Sequence, residues 1–177
     1  MKRKGQMKQV FVYMVAAFVF AIIIFFGYKS ITGFMEKGEE LAFIDFKTDI
    51  EGAIQRISSD YGSVVVYNQR NPITIPRKYE EICFVDLDAN LDPKASPICD
   101  SSSEEFRPII CDSWRDDRAE QPGWHIGNTN VFLEPIGLYP INVYKMEIKK
   151  GYLCIPIIDG RIDFKVEGMG DKTRVFV

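Results

Sequence analysis

Residues 10–28, VFVYMVAAFVFAIIIFFGY, form an apolar run without a charged residue or a proline. As an α-helix rising ~1.5 Å per residue, the run would cover roughly 28 Å, close to the hydrocarbon thickness of a bilayer. Helix is the conformation demanded there, because lipid offers the backbone N–H and C=O groups no partner. A cleaved secretory leader is the first alternative, since MKRKGQMK followed by apolar residues also describes one. The run exceeds the ~7–15-residue core of a leader, however, and residues 29–40 offer no small-x-small cleavage site. A buried soluble helix fits less well again, because the positions are apolar all the way round. The lipid bilayer is therefore the first expected partner, crossed once.

The flanks predict an orientation. Lys2, Arg3, Lys4 and Lys8 precede the run with no acid among them, whereas Lys29 and Lys37 on the far side meet Glu36, Glu39 and Glu40. Positive-inside bias then predicts a basic cytoplasmic leader over residues 1–9, with everything after the membrane run outside the cell membrane. Beyond position 29, 17 basic residues face all 25 acidic ones, a surplus of about eight negative charges. That balance argues against nucleic acid as a partner. All four cysteines, Cys83, Cys99, Cys111 and Cys154, fall on the expected outer side, where disulfides form and persist. Cys83 in EEICFVD and Cys154 in GYLCIPI sit in strand-like segments, while Cys99 and Cys111 bracket a polar loop. The pairs Cys83 with Cys154 and Cys99 with Cys111 are favoured, with free buried thiols as the alternative. Zinc is not expected, because close Cys-x2-4-Cys spacing is missing and His125 is the single histidine.

After the membrane run the chain goes on reading as helix. Ile31, Phe34, Met35, Leu41, Ile44, Ile50, Ile54 and Ile57 stripe one face, Lys37, Glu40, Lys47, Glu51 and Arg56 suit the other, and Gly27, Gly33 and Gly38 are weak points. The expected stop is at residues 58–62, with Gly62 as a left-handed cap. The amphipathic part, residues 29–61, is expected to pack on the chain's own β-domain, residues 62–177. Strand-like segments appear at 63–67, 79–87, 130–134, 141–148, 152–158, 161–166 and 174–177. Asp159-Gly160, between IPII and RIDFKV, is the strongest hairpin signal. Residues 91–122, rich in Asp, Ser, Glu and Pro, read as a long exposed loop. The expected fold class is α+β: a long N-terminal helix, membrane-spanning in its first half and amphipathic in its second, packed on a mainly antiparallel β-domain whose C-terminal strands form a meander.

Lys4-Gly5-Gln6, the apolar segment that follows, a helix of about fifty residues and a C-terminal β-domain together resemble the archaeal type IV pilin-like class. The phrases FKTDIEGAIQRISSDYGSV, EICFVDLD, NTNVFLEP and FKVEGMGDKTRVFV likewise resemble archaeal proteins with a single N-terminal membrane helix. The resemblance implies cytoplasmic cleavage by a prepilin peptidase between Gly5 and Gln6, and partnership with other pilin-like subunits or with copies of itself. Val10 stands where bacterial pilins carry a glutamate at the fifth mature position, with Lys8 and Gln9 nearby instead of an acid.

Candidate chemistry is sparse. Asp86, Asp88, Asn90 and Asp92 alternate like the first four oxygen ligands of a calcium loop. The pattern then breaks, because Leu91 replaces the turn glycine and Pro97 the bidentate glutamate. Asp112, Arg115, Asp116, Asp117 and Arg118 beside Trp114 read as a surface ion-pair cluster. A hydrolase would have to use His125, which no nucleophile-elbow pattern accompanies. Trp114, Trp124 and Phe132 read as packing residues before they read as a binding surface. Gly168-Met169-Gly170 precedes a strand and so is no phosphate loop. No cofactor and no catalysis are expected. The expected role is structural, a pilin-like subunit or minor component of a surface assembly. The alternative is an anchored binding or sensing domain that never assembles, with residues 91–122 as its recognition surface.

Overall fold

The computed structural model describes residues 4–89, 96–112, 129–143 and 145–177. These divide into two units, Met1–Leu41 and Ala42–Val177. Helix α1 covers Lys4–Ser58 and contributes to both. In the first unit it carries Val10–Ile31, a 22-residue span with mean hydropathy 2.8, long and apolar enough to cross a membrane. The helix is assigned through Gly27 and Gly38, whose vacant Cβ positions face open space.

In the second unit α1 buries Phe43, Phe46, Ile50, Ala53, Ile54 and Ile57, spaced three and four apart as one helical face requires. This corrects the expected stripe: Phe43 and Phe46 set the phase, which leaves Ile44 exposed. Ile31, Phe34, Met35 and Leu41 are exposed as well. The first unit ends at Leu41, two residues before the first fully buried side chain.

Seven strands follow: β1 Val64–Tyr67, β2 Glu81–Val85, β3 Val131–Glu134, β4 Met146–Glu147, β5 Tyr152–Pro156, β6 Phe164–Gly168 and β7 Thr173–Phe176. They build two sheets, ordered β1-β6-β7-β4 and β3-β2-β5. All ladders are antiparallel except β4 with β7. The expected meander is thus corrected, since β5 leaves its sequence neighbours and pairs with β2, Cys83 opposite Cys154. The strand expected over 141–148 shrinks to β4 and a single bridge from Ile141 to Val131. Asp159 and Gly160, both at positive φ (52° and 71°), do make a two-residue reverse turn, closed by reciprocal Ile158 and Arg161 bonds of 3.0 Å. It does not pair β5 with β6. Instead Ile75 N–H donates to Gly160 O at 2.8 Å, so the turn pins the segment leading to β2.

The face of α1 and the inner faces of both sheets share one core, in which the Phe164 ring lies 5.6 Å from Phe84 and 5.0 Å from Tyr67. The helix ends on the β6–β7 hairpin. A terminal turn leaves carbonyls unpaired, and here Ser58 O accepts Gly170 N–H at 2.8 Å and Ile57 O accepts Asp60 N–H at 3.0 Å, while the buried Thr173 hydroxyl adds a bond to Ile54 O at 2.8 Å. Gly62 has the expected positive φ (76°), but it stands third in the turn closed by Ser63 N–H to Asp60 O at 3.0 Å, so it reverses the chain after the helix instead of capping it.

Sheet β3-β2-β5 is covered on both faces. Ile82 and Phe84 enter the main core, while Cys83 and Val85 join Ile98 and Ile110 in a second, smaller cluster. Residues 96–112 are therefore no simple exposed loop: the 3-10 turn Pro97–Cys99 and a helical turn at 108–112 lie on the sheet. Cys83 is bonded to Cys154 and Cys99 to Cys111, the pairs favoured from the sequence, and free cysteines are absent among the described residues.

Candidate functional site

Among the described residues a cleft of about 930 Å³ opens beside β3. Its walls follow from two local anchors. On one side the chain leaves β3, returns, and is clamped by buried Asn130. The Asn130 amide accepts Val143 N–H at 2.8 Å and donates to Val143 O at 3.0 Å. Asn130 N–H also donates to Ile141 O at 3.2 Å, so residues 135–141 are held along the strand edge. On the other side Arg107 fixes the helical turn at 108–112. Its Nε lies 2.9 Å from Glu81 Oε2 and 3.3 Å from Glu134 Oε2. Its backbone N–H donates to Ile98 O at 2.9 Å. Ile109, Phe132, Leu133, Ile136, Leu138 and Tyr139 line the space between.

This arrangement is suited to burying apolar side chains. The one guanidinium at its edge is engaged by two carboxylates, and the bond to Glu81 holds its proton more firmly than usual. Segment 135–141 also rests on α1: the Tyr139 and Phe43 rings are 6.0 Å apart, Lys47 Nζ donates to Pro140 O at 3.0 Å, and a Cβ at Gly137 would stand 3.0 Å from the Phe43 ring. A side chain there would require the Phe43 ring to give by a few tenths of an ångström.

Asp86, the first residue of the calcium-like pattern, has structural partners. Asp86 is buried, with Oδ1 accepting Asp88 N–H at 3.1 Å and Oδ2 accepting Ile148 N–H at 3.2 Å. Burial pushes its carboxyl above the ordinary range, and the two backbone donors oppose that shift. Asp86 thus ties the end of β2 to the residue after β4, a structural task that uses both oxygens as acceptors. Asn90 and Asp92 lie outside the described residues, as do Trp114, Arg115, Asp116, Asp117, Arg118, Trp124 and His125. Gly5 and Gln6 fall within α1. Glu81, Cys83 and Cys154 bring ligand-type atoms within 4.8 Å of one another, but the two sulfurs are bonded together and offer no thiolate. Tyr152 donates its hydroxyl to Glu105, and burial, with the neighbouring carboxylate, pushes its pKa up to about 12. That makes it an anchor for the second cluster and a poor acid or base.

Arg107, Glu81, Glu134 and Asn130 were not singled out from the sequence. Their partners lie many positions away, Arg107 to Glu81 by 26 and Asn130 to Val143 by 13, and no spacing rule joins them. Comparison with protein-family models, curated proteins and solved structures returns no match.

Proposed function

We propose that this chain is a single-pass membrane protein of structural role, a pilin-like subunit or minor component of a cell-surface assembly, with its N-terminus cytoplasmic and its β-domain extracytoplasmic. The observation that carries the reading is the exposed apolar strip that continues along α1 past the membrane-type span, through Ile31, Phe34, Met35 and Leu41. A strip of that kind is costly to leave in water and is what lateral contact between helices uses. Two disulfides fit an oxidising compartment, and the basic residues before the span fit a cytoplasmic N-terminus.

The test is the unreduced intact mass and N-terminal sequence of protein from its own membranes, together with its size in mild detergent. A chain beginning at Gln6 and recovered as oligomers is the expected result. A chain retaining Met1 and recovered only as monomer would overturn the proposal. It would favour the second reading, an anchored binding domain, which draws on the apolar cleft beside β3.

A further inference from the structure

Cys83 and Cys154 stand directly opposite each other in the β2–β5 ladder, their Cα atoms 4.0 Å apart. The bonds from Asp86 N–H to Gly151 O and from Ile157 N–H to Glu80 O put the hydrogen-bonded pairs of this ladder at even positions of β2. The cysteines therefore occupy the intervening kind of pair, where opposed side chains come closest. Glu81, two residues before Cys83, shares its face of the strand, and Glu81 Oε2 lies 3.7 Å from Cys83 Sγ. Close Cys-x2-4-Cys spacing gathers metal ligands within one turn of chain; strand pairing does the same here for cysteines 71 residues apart.

While the disulfide is closed, neither sulfur can ligate. The newly made chain carries two thiols instead, and a dithiol restores them by becoming a disulfide as each cysteine sulfur gains a hydrogen. The three ligand-type atoms lie within 4.8 Å of one another. Zinc–sulfur bonds of ~2.3 Å and zinc–oxygen bonds of ~2.1 Å in a tetrahedron place sulfur about 3.8 Å from sulfur and about 3.6 Å from oxygen. Glu81 already stands at that range from Cys83, and rotation about Cα–Cβ in the two cysteines can supply the sulfur separation.

Arg107 is compatible with such a set. A carboxylate binds a cation through one oxygen while the other keeps its hydrogen bond, as outer-shell partners of metal ligands do. Two thiolates, the Glu81 carboxylate and a divalent cation leave one negative charge, which is met by Arg107, whose Nε is 2.9 Å from Glu81 Oε2. Cys83 and Arg107 both line the cleft beside β3, which gives an ion its path in.

We infer that the dithiol form of this chain binds a thiophilic divalent cation, zinc in type, between Cys83, Cys154 and Glu81, with a fourth position open to water. Metal and disulfide exclude each other: bound metal withholds both thiolates from oxidation, and oxidation expels the metal. Binding releases the thiol protons, so affinity rises with pH. The site lies wholly within the unit Ala42–Val177 and does not depend on whether copies assemble.

The test uses the full chain in detergent, reduced with a phosphine that is then removed under argon, and titrated with Co²⁺ and Zn²⁺. One equivalent of Co²⁺ should give the absorption of a tetrahedral site with thiolate charge transfer, bleached by Zn²⁺ and lost on reoxidation. Glu81→Gln should weaken Co²⁺ binding about tenfold or more while the charge transfer persists. Cys83→Ser with Cys154→Ser should abolish the signal. Equal affinity in Glu81→Gln would overturn the three-ligand site. An unchanged signal in the paired serine chain would assign the metal to Cys99 and Cys111 and overturn the inference. So would a reduced chain that near-ultraviolet circular dichroism shows to be folded but that takes up no Co²⁺, or one that unfolds on reduction and is not refolded by Zn²⁺.

Discussion

Replacing Gly168 with alanine should release the end of α1 from the β-domain. A Cβ at Gly168 would collide with the carbonyl oxygens of Ile57 and Asp60, both backbone atoms that cannot rotate away. The hairpin or the helix end must then move, and three bonds lie across that seam: Gly62 N–H to Gly168 O at 2.8 Å, Gly168 N–H to Ser63 O at 2.9 Å and Gly170 N–H to Ser58 O at 2.8 Å. At about 1 kcal/mol net for each bond, the substitution costs about 3 kcal/mol. With a urea dependence of about 2 kcal/mol per molar, the unfolding midpoint falls by about 1.5 M. Pulse proteolysis of the detergent-solubilised full chain across a urea series reads this directly, because only unfolded chains are cut. A midpoint within about 0.3 M of the parent would refute the seam as described. Thr173→Val calibrates the result. It keeps the shape of a fully buried side chain and removes one bond to Ile54 O, so its cost should be about 1 kcal/mol and its shift about a third as large.

The two disulfides should differ in value. Chain-entropy reasoning gives about 4.4 kcal/mol for Cys83–Cys154, with separation 71, and about 2.9 kcal/mol for Cys99–Cys111, with separation 12. Paired serine substitutions, compared by the same urea series, should rank in that order. Two carboxylates should respond to pH in opposite senses. Asp86 has a raised pKa in the fold, so its contribution is full below the ordinary carboxylate value and is lost as pH rises through the raised one. Asp86→Asn should therefore lose less stability than the parent as pH rises above the ordinary carboxylate range. Glu147 is held low by Lys172 and then Arg174, so its contribution is present above the ordinary value and lost as pH falls through the depressed one. Glu147→Gln should flatten the acid limb of the stability curve. Ile98→Ala empties a fully buried position in the second cluster. It should cost about 2–4 kcal/mol and speed proteolysis within residues 96–112 before the main core opens.

Much of the architecture was legible because it is written in local periods. The apolar run at 10–28 needed only its length, and Ile50, Ile54 and Ile57 only their spacing, whereas Ile31, Phe34, Met35, Leu41 and Ile44 of the expected stripe lie exposed and the buried Phe43 and Phe46 were not in it. Asp159-Gly160 named its own turn correctly. The topology it suggested was wrong, because the residues after the turn pair according to which core they can bury, a long-range quantity. EICFV read simply as a strand; both of its faces are covered, and the second cover comes from a segment whose polar composition hid Ile98 and Ile110. The cleft was not legible at all. It arises where β3, Arg107 and the returning chain converge, and its lip residues Ile136, Leu138 and Tyr139 follow no period.

The closure of α1 by Thr173 has a consequence for how the chain is made. The two partners, Ile54 and Thr173, are 119 residues apart. At a synthesis rate of about 5–20 residues per second, the helix end emerges roughly 6–24 s before the hydroxyl that completes it. Until then its carbonyls and its buried face lack their last strands, a high contact order at the point where the core begins. Biogenesis of this protein is thus exposed to aggregation and proteolysis during that interval, and a chaperone that shields the nascent helix should raise its yield more than one that acts on the finished domain.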